Sequence, residues 1–442
     1  MNAFFYKGNE NILENKKNQE LFPNCDSEIK IIKNAFLKVL DNKNLSFLLG
    51  SGCSSCEIEQ KTGNVEEKNY LQIGIPVMAP LAREFYNLKE FEDDKEWLKS
   101  KLQIDVENDI FKANLEVFLS TLHSLSYYND KRIKPVEVEA KKERQIEVVI
   151  KEKPEDERIN NIIKNARNFL LRKILNEDNG TNRSDIPLLN IYKQFYRKLL
   201  SRNSTLPRLN IFTTNYDLYS EKAMDLLGIH YVNGFTGGIS KFFNPTIFNY
   251  ALAEKMDLSQ SKWSVIDNFF YLYKIHGSVN WIEAEGENKL FKVQEIQDPK
   301  FENLAEREIM IYPTPLKYNA SFGSPYSDLF REFQRRLMMN NNILVTIGYS
   351  FNDEHINNLI FQAFTIPSFR LIIIGEPPEN NKIGELKKLD DPRIWIIGGK
   401  ESDKQPLHYF ERFVNEIMPD LTNEDLDKKM ETTINNLKDL LK

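Results

Sequence analysis

Three short runs in the second half of the chain are apolar at nearly every position: 343–347, 371–374 and 395–397, each stopping at a glycine (Gly348, Gly375 and Gly398). A strand with one wet face alternates apolar and polar residues, so runs like these belong to strands covered on both faces. Helical patterns lie between and beside them, at 328–339, 354–364 and 408–418. Strands alternating with helices build parallel sheets. The sequence therefore predicts an α/β fold: a Rossmann-like, mostly parallel sheet with helices on both faces.

The same punctuation recurs earlier. Residues 45–49 lead into Gly50-Ser51-Gly52-Cys53-Ser54. Two glycines one residue apart permit a tight turn and close approach of a ligand to main-chain N–H groups. Residues 210–217, Asn-Ile-Phe-Thr-Thr-Asn-Tyr-Asp, begin as a strand and end in Thr214, Asn215 and Asp217. Asn215 and Asp217 also suit the cap of a helix over 218–223, and the two roles are compatible. Residues 268–281 bring His276 and Gly277 to another strand end, and Gly348-Tyr349-Ser350-Phe351-Asn352-Asp353 closes the first apolar run. In an open α/β sheet ligands bind beyond the carboxyl ends of the strands. Polar and glycine chemistry at so many strand ends points to one site along one edge.

The α/β pattern is interrupted. Residues 78–126 read as helical, with Leu81, Phe85, Leu88 and Phe91 on one face and Leu115, Phe118, Leu119 and Leu122 on another; 155–175 and 186–200 read as further helices. Residues 131–158 mix both charges with little apolar periodicity and read as a solvated, mobile segment. The polar stretch 57–69 reads as a loop. The expected organisation is an N-terminal arm (1–26), a core of 27–75 and 205–420, a helical insertion of 76–204 with its charged segment at about 130–158, and a helical tail (421–442).

Hydrophobic residues make up 41% and charged residues 28%, and the net charge is -6. That is a soluble, core-forming composition with no basic field to attract nucleic acid. No run reaches membrane-spanning length and the N-terminus is not signal-like. Three cysteines suit a reducing, cytoplasmic setting. Cys53 and Cys56 form a single C-x-x-C pair, short of the four ligands of a structural zinc site, so no metal is expected.

Gly50-Ser51-Gly52-Cys53-Ser54, Thr213-Thr214-Asn215-Tyr216-Asp217, Ile275-His276-Gly277 and Gly348-Tyr349-Ser350-Phe351 resemble, in order and separation, the four signatures of sirtuin-like NAD-binding domains. The resemblance covers roughly 45–398 and is similar to the bacterial antiphage-defence branch, in particular the free-standing subunit paired with a HerA-type hexameric ATPase. It implies an NAD glycohydrolase that releases nicotinamide and ADP-ribose. It implies roles: Asn215 positions a water or a ribose hydroxyl, Asp217 holds the nicotinamide carboxamide, and His276 acts as general base. Gly50, Ser51, Gly52, Cys53 and Ser54 hold the diphosphate, with Gly50, Gly52 and Ser54 using main-chain N–H groups and a hydroxyl. Thr214, Gly277 and Gly348 complete the pocket, and Ser350 and Asp353 meet the adenosine side. It also implies a large homo-oligomer docked on the ATPase, with Phe4, Phe5 and Tyr6 and the terminal helices as contact surfaces, and no second, sensing domain in this chain.

Two departures count against lysine deacylation. There is no four-cysteine ribbon, and Val77-Met78-Ala79 stands where deacylases carry Asp-Phe-Arg after Gly-Ile-Pro. The competing readings are a non-catalytic NAD-binding sensor or scaffold, and an NAD-dependent protein deacylase or ADP-ribosyltransferase.

Overall fold

The computed structural model describes residues 2–17, 25–60, 69–131, 154–176, 185–254, 264–284, 293–305, 309–311, 324–400 and 405–420. The runs that lack alternation occupy the middle of the main sheet: Asn342–Ile347 and Asn210–Thr213 are buried at every residue, and Asn44–Leu49 at all but the first. The sheet has nine strands, in the order Glu10–Asn11, Asn2–Lys7, Ile394–Lys400, Arg370–Ile374, Asn342–Ile347, Asn44–Leu49, Asn210–Thr213, Phe269–Lys274 and His230–Val232. From Ile394–Lys400 onward all pairs are parallel. After Asn44–Leu49 the chain fills one side of the sheet, then crosses to Asn342–Ile347 on the other. The strand order therefore reverses around Asn44–Leu49, which makes its carboxyl end the switch point.

Successive residues of a strand face opposite sides. Phe47, Ile211, Val345 and Ile372 pack under the helices Cys25–Leu40, Ile186–Leu200 and Tyr219–Leu226. Leu48, Phe212, Leu344 and Ile373 pack under Tyr326–Leu337, Glu354–Ala363 and Lys382–Lys388. The expected Rossmann-like architecture, with helices on both faces, is what the chain adopts.

Three local expectations give way. The N-terminal segment is no loose arm: Asn2–Lys7 pairs antiparallel with Ile394–Lys400. Phe5 is buried against Trp395, ring centroids 5.3 Å apart, while Phe4 and Tyr6 pack on the opposite face. Residues at such an edge gain backbone partners and two apolar faces at once. The polar stretch after Ser55 is a hairpin, Ser55–Gln60 with Asn69–Gly74, in which Cys56 pairs with Ile73 and both are buried. The helix Ile186–Leu200, assigned to the insertion, packs on the sheet through Leu188, Tyr192, Phe195 and Leu199.

The insertion proper keeps its own core. Phe85, Phe91, Leu98, Phe118, Leu122, Ile159 and Ile162 cluster where Met78–Tyr86, Glu92–Leu102, Leu115–Lys131 and Pro154–Leu175 meet. Most of the charged segment (132–153) and the C-terminal tail (421–442) lie outside the described residues.

A second, five-stranded antiparallel sheet starts where the main sheet ends. Gly277–Glu283 follows Phe269–Lys274 after a two-residue corner, Ile275 and His276. Gly277 takes φ 89°, a conformation that side chains resist, and so turns the chain. His276 is thereby fixed on a corner between two sheets.

Candidate active site

Two glycine turns cross at the switch point. A Cβ on Gly50 would sit 2.4 Å from the Gly348 carbonyl oxygen, and one on Gly348 (φ +62°) would sit 2.8 Å from the Cys53 nitrogen. Glycine is required here because backbone meets backbone. The main-chain donors of this turn are also used: Gly50 N–H donates to Ile347 O (2.9 Å), Gly52 to Gly348 O (3.0 Å), Cys53 to Gly50 O (2.9 Å) and Ser54 to Ser51 O (3.0 Å). Those four N–H groups of the cradle expected from sequence are thus spent on the fold. Ser51 and Ser54 are the members of the turn that line a cavity of about 460 Å³, while Gly50, Gly52 and Cys53 lie behind it. Burial, reinforced by the charge of Asp217, pushes the Cys53 thiol far up, so it is no nucleophile.

The second turn is anchored to the first. Thr213 Oγ1 donates to Leu49 O (3.0 Å) and accepts from Asn215 N–H (3.0 Å); Asn215 Nδ2 donates to Gly50 O (2.9 Å). Asp217 accepts from Ser54 Oγ (2.5 Å) and, with its other oxygen, from the Tyr219 N–H (3.1 Å) as the helix Tyr219–Leu226 begins. The helix-start role and the cavity-lining role of Asp217 therefore coexist. Beneath it Lys274, 1% exposed, donates to the Asp217 carbonyl and pairs with Glu221 at 3.0 Å. Burial pushes the Glu221 carboxyl up and Lys274 offsets only part of that. A second cavity of about 350 Å³ lies beyond Asp217, which belongs to both walls.

His276 Nε2 lies 2.8 Å from Asp353 Oδ2. Asp353 caps the helix Glu354–Ala363, Oδ1 accepting from His355 N–H (3.0 Å) and Ile356 N–H (3.1 Å). Burial pushes the Asp353 carboxyl up, but His276 and the cap hydrogen bonds outweigh it and hold it below its ordinary value. Nothing in the sequence signalled this pairing, which joins the corner at His276 to the segment after the Gly348 turn.

The roof comes from the insertion. Met78, Leu81, Leu119 and Leu170 give an apolar wall facing Thr214, Asn215, Asp217, His276, Gly348, Ser350 and Asp353. Gly277 stays outside the lining. Sequence reasoning missed several polar members, among them Asn352, His355, Tyr216 and Glu116. Tyr216 and Glu116 both line the cavity, the Tyr216 hydroxyl donating to Glu116 Oε1 at 3.4 Å. Glu116 follows Asn114, whose side chain accepts from Val117 N–H (3.1 Å) at the helix start. An acidic residue in a first turn is ordinary, so no local signal separates it from a surface glutamate. Among the described residues no group of three or more His, Cys, Asp or Glu is disposed to hold a metal ion.

A parallel sheet with polar turns gathered at its switch point, under an apolar roof, defines a nucleotide-binding type of α/β domain. Residues 209–391 match the family described as SIR2-like domain. The match supports a sirtuin-like protein with NAD-related activity. It spans Asn215, Asp217, His276, Gly348 and Asp353, while the Gly50 turn and the insertion fall outside it. No curated protein matches the chain.

Proposed function

We propose that the protein is an NAD glycohydrolase, cleaving NAD to nicotinamide and ADP-ribose. The observation that carries this is the meeting of Asn215, Asp217 and His276 at one 460 Å³ cavity, a volume within the ~300–1,000 Å³ of small-molecule sites. An apolar wall over a polar floor fits an elongated ligand of flat rings joined by a charged middle. Ser51 and Ser54 face that middle, and the acidic floor suits a cationic nicotinamide ring. Loss of nicotinamide leaves positive charge on the ribose, which nearby carboxylates stabilise. Asn215 would position the ribose or a water, Asp217 would meet the carboxamide, and His276 would take a proton.

By the resemblance, such an enzyme serves antiphage defence. It would empty the cell of NAD when triggered, as a homo-oligomer with a HerA-type ATPase. Purified protein mixed with NAD, with and without that ATPase, is expected to release nicotinamide, and His276→Ala to abolish release. Saturable NAD binding with no product under any of these conditions would instead identify a sensor or scaffold. Turnover only when a protein substrate is added would identify a deacylase or ADP-ribosyltransferase.

A further inference from the structure

The cavity holds more carboxylates than the roles above employ. Asp217 has both oxygens hydrogen-bonded, to Ser54 and to Tyr219. Asp353 is engaged by His276 and by the cap of its helix. Glu354 is exposed. Glu116 is different. It descends from the insertion at the start of Leu115–Lys131 and lines the cavity beside Tyr216. Tyr216 in turn lies 6.4 Å, ring to ring, from His276.

We propose that Glu116 is the general base that activates the hydrolytic water, so that the catalytic groups are divided between the sheet and the insertion. The proposal rests on the NAD glycohydrolase reading. His276 Nε2 already faces the Asp353 carboxylate at 2.8 Å, whereas the Glu116 carboxylate stands on the insertion side of the cavity, where a water attacking from that side would meet it. The step balances as follows. The bond between ribose C1 and the pyridinium nitrogen breaks with its electron pair going to nitrogen, which leaves as neutral nicotinamide. The oxygen of water bonds to C1. Its proton passes to a Glu116 carboxylate oxygen and later to solvent.

The surroundings suit that task. Burial raises the Glu116 carboxyl above its ordinary value; the His276 charge lowers it, Asp353 raises it and the Tyr216 hydroxyl lowers it, with a net shift upward. A carboxylate made more basic in this way is closer to a match for proton transfer near neutrality. Lys173 and His355 also line the cavity, Lys173 being paired with Glu84 at 2.5 Å.

The test compares full-length wild type, Glu116→Gln and Glu116→Ala for nicotinamide release across pH, with NAD binding and thermal melting measured on each. Glu116→Gln is expected to lower kcat by ~10²–10⁴-fold, with KM and NAD affinity within about three-fold, and to remove the acid limb of the kcat profile. Formate is expected to restore part of the activity of Glu116→Ala, which a packing defect would not allow. If wild type cleaves NAD and Glu116→Gln keeps its rate and pH profile, or loses NAD binding in step with rate, Glu116 is not the base and the NAD glycohydrolase reading survives. If wild type cleaves no NAD with or without the ATPase, both fall.

Discussion

His276 and Asp353 come from segments 77 positions apart and meet at 2.8 Å across the carboxyl edge of the sheet. His276 rides a corner that Gly277 makes possible, and Asp353 is the cap of a helix that follows an interlocked glycine turn. Each residue sits at an element boundary, and Asp353 is also held by two cap hydrogen bonds. The pair is therefore preorganised, and its electrostatics can be read in stability as well as in activity.

Asp353→Asn separates the two. Asparagine still caps the helix Glu354–Ala363 well, so the loss is mainly the negative charge beside His276. The folded-state pKa of Asp353 lies below the unfolded value of 3.8, so its stabilisation is present above that pH and fades as pH falls through the folded value. In thermal melts, wild type should therefore lose more stability than Asp353→Asn below about pH 4. Parallel acid limbs for the two proteins would remove the pair from the stability argument. His276→Ala should lower nicotinamide release by ~10²–10⁴-fold.

Asn215→Ala needs a stability control before its kinetics mean anything. The amide that faces the cavity also donates to Gly50 O at 2.9 Å in a buried setting. Removing it leaves that carbonyl with the Cys53 N–H alone, a loss of about 0.5–1.5 kcal/mol. Urea denaturation should show that loss. If melting and denaturation are unchanged while release is abolished, the amide acts on the reaction alone.

Much of this was visible in the chain. The runs 343–347 and 371–374 announced a both-faces-covered parallel sheet because almost nothing polar interrupts them, and the polar turns after the strands marked the edge where the cavity lies. What stayed hidden depends on partners distant in sequence. Asn2–Lys7 reads like any aromatic terminus until Ile394–Lys400 offers it an edge. In the hairpin after Ser55, Cys56 and Ile73 are buried while Leu71 and Gln72 are exposed, so its apolar pattern is too short to read. Gly50 and Gly52 suggested phosphate binding, yet their freedom is consumed by Gly348, a contact that no local pattern encodes. Glu116 carries no signal because its neighbours at the cavity come from the core, 100 residues later at Tyr216.

The crossed turns give a sharp contrast. Gly50→Ala places its Cβ 2.4 Å from a carbonyl oxygen that belongs to another turn's backbone, so the turns must part. A loss of about 1–3 kcal/mol or more is expected in denaturant titrations, with NAD binding lost as a consequence. Ser51→Ala, at an exposed position in the lining, should stay within about 0.5 kcal/mol of wild type yet weaken NAD binding. Equal destabilisation by the two would refute the division between fold-making glycines and ligand-facing serines.

The buried pair Lys274 and Glu221 underlies Asp217 and should behave as a unit. Lys274→Met strands the Glu221 carboxylate in a site where burial already pushes it toward its neutral form, and removes the donor to the Asp217 carbonyl. A cost of about 3–5 kcal/mol is expected at neutral pH, since one buried charge is left uncompensated. The penalty should shrink as pH falls and Glu221 takes up a proton. Lys274→Met with Glu221→Gln should recover much of the loss, because no buried charge remains. A double-mutant cycle by urea denaturation measures this coupling. Additive losses would mean that Lys274 acts through the Asp217 carbonyl alone, holding that turn independently of Glu221.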